Sequence, residues 1–272
     1  MTTGTTASGT YYLFNKKDQE VPIVFIHGVG LTHEIWWPQL EFFNYHSNIA
    51  YDILGHGKSS LEDGKISFDD FSNQLIELLN HLNIKKIHLV GFSIGSLIAR
   101  NFATKYNERL HTLTFLCSIY KRTELQQKIV NQRFEQAKQE LKLSKQALKR
   151  WFTDKYLENN PDIYEKISSI LSSNNMANFL KVYELFVKHK NNENFSKIKV
   201  RTLIMTGEFD IGSTVEMSRE LNKIINNSQL SIIKNGKHLC SIECADDVNL
   251  ACLLYTSPSP RDATLSRMPS SA

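Results

Sequence analysis

Ser93 stands in Gly91-Phe92-Ser93-Ile94-Gly95, with a glycine two residues to either side. The β-rich run Lys86–Val90 before it reads as a strand, and Ser93–Tyr106 reads as a helix. G-x-S-x-G on a strand-to-helix turn is a nucleophile site, because small neighbours let the chain take the strained turn that exposes the serine. A serine hydroxyl is a weak nucleophile, so it needs a base, and the base needs an orienting carboxylate. Asp210 follows the apolar run Val200–Thr206, and His238 follows Leu230–Ile233. Both runs read as strands, which puts the two residues at the carboxyl edge of the sheet that carries Ser93, where open α/β folds bind ligands. Ser93, Asp210 and His238 are therefore the candidate catalytic residues, in the chain order Ser, Asp, His. Glu208 is the rival acid but lies closer to its strand end. The backbone N–H groups of Val29 and Ile94 are candidate oxyanion donors, each worth about 3 kcal/mol in the transition state. If His238 is the base, activity rises as it loses its proton, around pH 6–7 for an ordinary histidine.

The elements around these residues alternate. Tyr11–Phe14, Val21–Ile26, Ile49–Ile53 and Leu110–Leu116 also read as strands. Phe68–Leu82 carries an apolar helical stripe at 71, 75, 78, 79 and 82, and Ser213–Ile225 reads as a helix. Alternation of this kind implies a mostly parallel, doubly wound α/β sheet with helices on both faces. In that fold His27 of His27-Gly28-Val29-Gly30 is a turn-bracing residue. His33, His46, His81, His88, His111 and His189 are surface or packing residues.

Residues 121–199 break the rhythm. They hold no convincing strand, and Leu125, Ile129, Ala137, Leu141, Leu148 and Trp151 recur at near-helical spacing. This is an all-helical cap insertion, with residues 10–120 and 200–250 as the α/β core. Over 121–200 there are 16 Lys and Arg against 9 Asp and Glu, a net +7 in a chain of net +4. Most of these charges suit solvated helix faces; a basic roof over the site would favour an anionic small-molecule substrate. The end of the chain departs in composition. From Leu250 to Ala272 there is no Lys, Ile or Asn, against 23, 24 and 22 in the preceding residues. Residues 252–272 are accordingly expected to be a non-native or disordered tail.

The chain has 272 residues, 41% of them hydrophobic and 22% charged, which excludes a disordered, collagen-like or small disulfide-bonded protein. No apolar run approaches the roughly 20 residues of a membrane span. A net charge of +4 is too weak to imply nucleic acid. Cys117, Cys240, Cys244 and Cys252 lack metal-ligand spacing, so no metal and no organic cofactor is expected. Four thiols in a chain without a visible signal peptide suggest the cytoplasm.

HGVG at 27–30, Asp52–Ser59, GFSIG at 91–95, GEFD at 207–210 and KHLCSIE at 237–243 together resemble the α/β-hydrolase fold superfamily with a helical cap. His238–Glu243 is similar to the HLSNIE-type segment of 3-oxoadipate enol-lactonases. The elbow differs slightly, with Ser96 where many relatives have glycine. The resemblance implies a structural role for the Asp52–Ser59 turn, and it implies the Ser93–His238–Asp210 triad. Serine at 93 argues against the dehalogenases and epoxide hydrolases of the superfamily, which use an aspartate nucleophile. The expected activity is cleavage of a small carboxylic ester or lactone. The alternatives are hydrolysis of carbon–carbon bonds in ring-cleavage products, cofactor-free perhydrolase chemistry, or slow-turnover ligand binding in signalling.

Overall fold

Ile23–Ile26 (β3) and Ile87–Phe92 (β5) are buried at every position, as strands covered on both faces must be. The computed structural model describes residues 1–17, 21–140 and 145–256. It contains one eight-stranded sheet in the order β1-β2-β4-β3-β5-β6-β7-β8. The remaining strands are β1 (Thr2–Thr5), β2 (Tyr11–Asn15), β4 (Asn48–Tyr51), β6 (Leu110–Leu116), β7 (Arg201–Gly207) and β8 (Ser228–Ile233). The two pairings that involve β1 and β2 with their inner neighbours are antiparallel; all others are parallel.

One face of the sheet is covered by α2 (Phe68–His81), α3 (Ile94–Lys105) and α9 (Val215–Ile224). The stripe of Phe71, Leu75, Leu78 and Leu79 on α2 is fully buried there. Its start is fixed by Ser67, whose backbone N–H and hydroxyl both donate to Asp70 Oδ2, at 2.8 and 2.7 Å. The other face is covered by α1 (Trp37–Phe42), α10 (Cys240–Glu243) and α11 (Ala245–Thr256).

Between β6 and β7 the described residues form five α-helices: α4 (Glu124–Glu140), α5 (Lys145–Trp151), α6 (Asp154–Asn159), α7 (Asp162–Ser172) and α8 (Met176–Val187). No strand interrupts them among the described residues. The segment returning from α8 is tied to the core by a buried ion pair. Arg100 Nη2 on α3 donates to Glu193 Oε2 at 2.8 Å, and Arg100 Nη1 donates to the Ile119 carbonyl at 2.8 Å. Removing one partner of such a pair strands a buried charge, which costs about 3–5 kcal/mol. Glu193→Ala is therefore expected to lower unfolding stability by about 3 kcal/mol or more in urea denaturation. A loss below about 1 kcal/mol, the range of an exposed pair, would show that Arg100 is not held by this carboxylate.

Two boundaries differ from expectation. The sheet starts with β1, ahead of residue 10. Thr2–Thr5 is polar and largely exposed, so it lacks the apolar alternation that reveals a half-buried strand. It pairs with β2 at the sheet edge, Thr2 opposite Phe14. At the other end, the composition break at 250 is not a structural break. Cys252 and Tyr255 are buried in α11, and the Tyr255 hydroxyl donates to the Thr202 carbonyl at 2.9 Å. The last turns of the helix therefore use residues placed in the expected tail, because their apolar spacing matches the face the sheet offers. Residues 257–272 lie outside the described residues.

Candidate active site

Ser93 caps α3 with φ +55° and ψ −117°, a conformation that costs a non-glycine residue about 1–3 kcal/mol. The turn tolerates no bulk on its flanks. A Cβ on Gly91 would run into the carbonyl oxygen of Gly95, and one on Gly95 would run into that of Ile26. Position 96 does accept a side chain: the Ser96 hydroxyl donates back to the Ser93 carbonyl at 2.6 Å. The sequence departure there costs the turn nothing visible and adds a hydrogen bond.

The three residues expected to act together are brought together. His238 Nε2 lies 3.2 Å from Ser93 Oγ, and His238 Nδ1 lies 2.7 Å from Asp210 Oδ2. A carboxylate only accepts, so Nδ1 carries a proton toward Asp210, and in the neutral ring Nε2 is left to accept from the serine hydroxyl. Asp210 is held in turn by the N–H groups of Gly212 and Ser213, which donate to Oδ1 at 2.8 and 3.0 Å. Glu208 is exposed and accepts instead from the Asn235 N–H at 3.0 Å, away from His238.

Burial works against the His238 imidazolium, but the adjoining Asp210 carboxylate outweighs it and raises the pKa from 6.5 to about 10. A general base acts in its neutral form. The acid limb of kcat/KM is therefore expected above 7, not at the 6–7 of an unperturbed histidine. An NMR titration of the His238 ring with a midpoint at or below 6.5 would contradict this. The same shift is linked to stability: its contribution is full below 6.5 and is lost as pH rises toward about 10, since the folded state holds the proton more tightly.

The loop carrying Val29 is fixed by two histidines. His27 Nε2 accepts the Ile53 N–H at 3.0 Å, and His56 Nε2 accepts the Gly30 N–H at 2.8 Å. Accepting requires the neutral ring, and burial pushes these pKa values down to about 4 and about 3. Asp52 Oδ1 accepts from the His33 backbone and ring at 2.8 Å, and Oδ2 accepts from the Lys58 N–H at 2.9 Å. These residues brace the turn below the site. Asn174, between α7 and α8, reaches down to the Gly30 carbonyl at 2.7 Å and accepts from the Gly57 N–H at 3.0 Å. Cys117 Sγ, Asp210 and His238 also lie close together, within 4.8 Å. There Cys117 donates to the His238 carbonyl at 3.2 Å, and burial raises its thiol pKa well above the usual value.

Ser93, His238, Asp210 and Val29 open onto one cavity of about 260 Å³. Residues 21–244 match the family model described as alpha/beta hydrolase fold. The chain belongs to the α/β-hydrolase fold family. Over 254 residues it is 30% identical to (E)-2-((N-methylformamido)methylene)succinate hydrolase of Acinetobacter baylyi, covering 92% of this chain and 95% of that protein. It is 25% identical over 234 residues to 3-oxoadipate enol-lactonase 2 of the same organism, covering 86% of this chain and 87% of the relative. The crystal structure of the enol-lactonase from Burkholderia xenovorans superposes with a TM-score of 0.80 at 19% identity, over 93% of this chain and 99% of that one, a likeness of fold. Among the described residues, no helix of this family member is long and apolar enough to cross a membrane.

The cavity also exposes side chains that the sequence did not assign to the site. Arg122, Arg133, Arg150, Trp151, Phe179 and Tyr183 line it from the helical insertion. Their spacing marks ordinary amphipathic helices. Only the path of α4, α5 and α8 across the sheet edge turns these residues toward Ser93.

Proposed function

We propose that the protein is a serine hydrolase that cleaves a small carboxylic ester or lactone through an acyl-enzyme. The observation that carries this reading is the relay of 3.2 Å from Ser93 Oγ to His238 Nε2 and 2.7 Å from His238 Nδ1 to Asp210 Oδ2. In this reading Ser93 Oγ attacks the acyl carbon while His238 takes its proton. The tetrahedral oxyanion receives the N–H groups of Val29 and Ile94. His238 then protonates the departing alkoxide, leaving the acyl group on Ser93. Water attacks the acyl carbon, giving a proton to His238; the acid leaves and the proton returns to Ser93. Asp210 holds the imidazole tautomer and stabilises the imidazolium throughout. The helices of 121–199 act as a cap that roofs the cavity and sets specificity. Likeness to enol-lactonases supports an ester or lactone carbonyl as the reacting group.

The test is covalent capture. A fluorophosphonate should add its phosphonyl mass to Ser93 alone and stop hydrolysis of p-nitrophenyl acetate. Labelling of another residue, or full activity after complete labelling, would overturn the triad. A stoichiometric burst of p-nitrophenol with negligible turnover would instead identify a ligand-binding relative.

A further inference from the structure

Cys117, Asp210 and His238 follow the carboxyl ends of β6, β7 and β8, three strands that lie side by side in the sheet. Parallel pairing therefore delivers a thiol, a carboxylate and an imidazole to one point. Their ligand atoms all lie within 4.8 Å of one another, and among the described residues this is the one group of three or more such side chains to come so close. The relay uses two of them; Cys117 has no part in it. Cys117 is fully buried and begins the turn after β6 with φ +53°, a left-handed conformation that suits glycine better than a residue with a side chain. Its backbone N–H is tied to the Met205 carbonyl at 2.8 Å, which fixes the thiol beside His238. Cys240 Sγ lies 3.7 Å from Cys117 Sγ, so a second sulfur stands behind the first.

A thiol, an imidazole and a carboxylate at one point are the ligand set of a thiophilic divalent cation, above all zinc. The spacing is close to what zinc needs. At tetrahedral angles, zinc–nitrogen and zinc–oxygen bonds of about 2.0–2.1 Å place those two atoms about 3.3 Å apart, and a zinc–sulfur bond of about 2.3 Å places the sulfur about 3.6 Å from each. His238 Nδ1 and Asp210 Oδ2 stand 2.7 Å apart, so the pair has to open by about 0.6 Å. The sulfur, within 4.8 Å of both, has to move in by about 1 Å. That movement gives up only its S–H donation to the His238 carbonyl at 3.2 Å, and a thiol is a weak donor. Asp210 Oδ1 stays on the N–H groups of Gly212 and Ser213, leaving Oδ2 to offer.

We infer that Cys117, Asp210 and His238 form an inhibitory zinc site set into the relay itself. Zinc takes the place of the proton between His238 Nδ1 and Asp210, and the Cys117 thiol proton leaves to water. The ion is then held by a thiolate, an imidazole nitrogen and a carboxylate, with water or Cys240 in the fourth position. The displaced ring proton moves to Nε2, because a neutral imidazole bound to metal through one nitrogen carries its hydrogen on the other. Nε2 then donates, cannot take the proton of Ser93, and the relay is shut. The ion is a blocker and takes no part in the reaction. The site rests on the placement of the three side chains; that filling it stops catalysis rests on the serine hydrolase reading above.

Two readouts test this, one of them independent of turnover. The protein is stripped with EDTA, kept under a phosphine reductant so that its thiols stay reduced, and titrated with cobalt(II). Cobalt takes zinc sites and gives a thiolate charge-transfer band in the near ultraviolet. The parent should show the band, Ser93→Ala should keep it, and Cys117→Ala should lose it. In the second readout, free zinc buffered to about 100 µM should lower the parent's kcat/KM on p-nitrophenyl acetate by about ten-fold or more, as a Kd of about 10 µM or tighter requires. EDTA should restore the rate, and magnesium, which prefers oxygen ligands, should leave it unchanged. In Cys117→Ala, measured against its own zinc-free rate, the same zinc should cost less than about two-fold, since a Kd above about 100 µM leaves half or more of the protein free. Cys117→Gly, which suits φ +53°, repeats the comparison should the alanine variant not fold. No cobalt band in the parent, or equal zinc inhibition in the parent and the Cys117 variant, would overturn the proposal. A Cys117-dependent band in a protein that hydrolyses no ester would keep the metal site and discard the serine hydrolase reading. Ester hydrolysis that zinc leaves untouched would discard the inhibitory site and leave that reading standing.

Discussion

Ser93→Ala and His238→Ala are each expected to remove nearly all hydrolysis of a small ester, and the double variant is expected to be no slower than either single. The drop in kcat should be on the order of 10⁶, because nucleophile and base act as one unit and the loss of either disables both. The 3.2 Å separation of Ser93 Oγ and His238 Nε2 motivates this expectation. Active-site-titrated kcat on p-nitrophenyl acetate measures it. If Ser93→Ala keeps more than about a tenth of the parent rate, the oxyanion donors and substrate binding cannot account for the residue, and Ser93 is not the nucleophile.

Asp210→Asn is expected to cost about 10⁴ in kcat. An amide at this position can turn its N–H₂ toward His238 Nδ1. That ring nitrogen must then accept, and Nε2 takes the proton and loses its ability to deprotonate Ser93. Removing the carboxylate also removes what raises the His238 pKa, so burial should carry it below its present value of about 10. The variant's ring should therefore titrate lower than the parent's. Glu208→Gln serves as the comparison, since its carboxylate is exposed and accepts from the Asn235 N–H, away from His238. A larger rate loss in Glu208→Gln than in Asp210→Asn would reassign the acid.

Much of this site was legible because local backbone chemistry dictates it. Only a glycine passes at 91 and 95, so the elbow writes itself into the sequence wherever it forms. Asp210 and Glu208 could be ranked because two residues along a turn decide which side chain faces the last strand. The continuous apolar runs at Ile23–Ile26 and Ile87–Phe92 announced the buried parallel strands. What stayed hidden depends on partners far along the chain. β1 is polar and takes its place from hydrogen bonds to β2. The last turns of α11 look compositionally foreign, yet a helix needs only apolar residues at the right intervals, and Cys252 and Tyr255 supply them. The arginines were visible as part of a charge count over 121–200 but not as lining of the cavity. Which of the basic residues line the cavity is decided by how the helices cross above the sheet.

β6 and β7 are hydrogen-bonded neighbours, with Leu116 opposite Met205, and all five helices of the insertion lie in the connection between them. The insertion thus occupies the slot that one crossover helix fills in a simple β–α–β unit. The sheet asks of that connection only that it leave one strand end and reach the next. Helices there can be lengthened, swapped or recharged without moving β5 and its elbow by a single residue of register. In the function proposed above, chemistry and choice of substrate are then written on separate stretches of chain, and mutations in one need not be answered in the other. A lineage built this way can acquire new substrates by rewriting its roof while leaving its cutting edge alone.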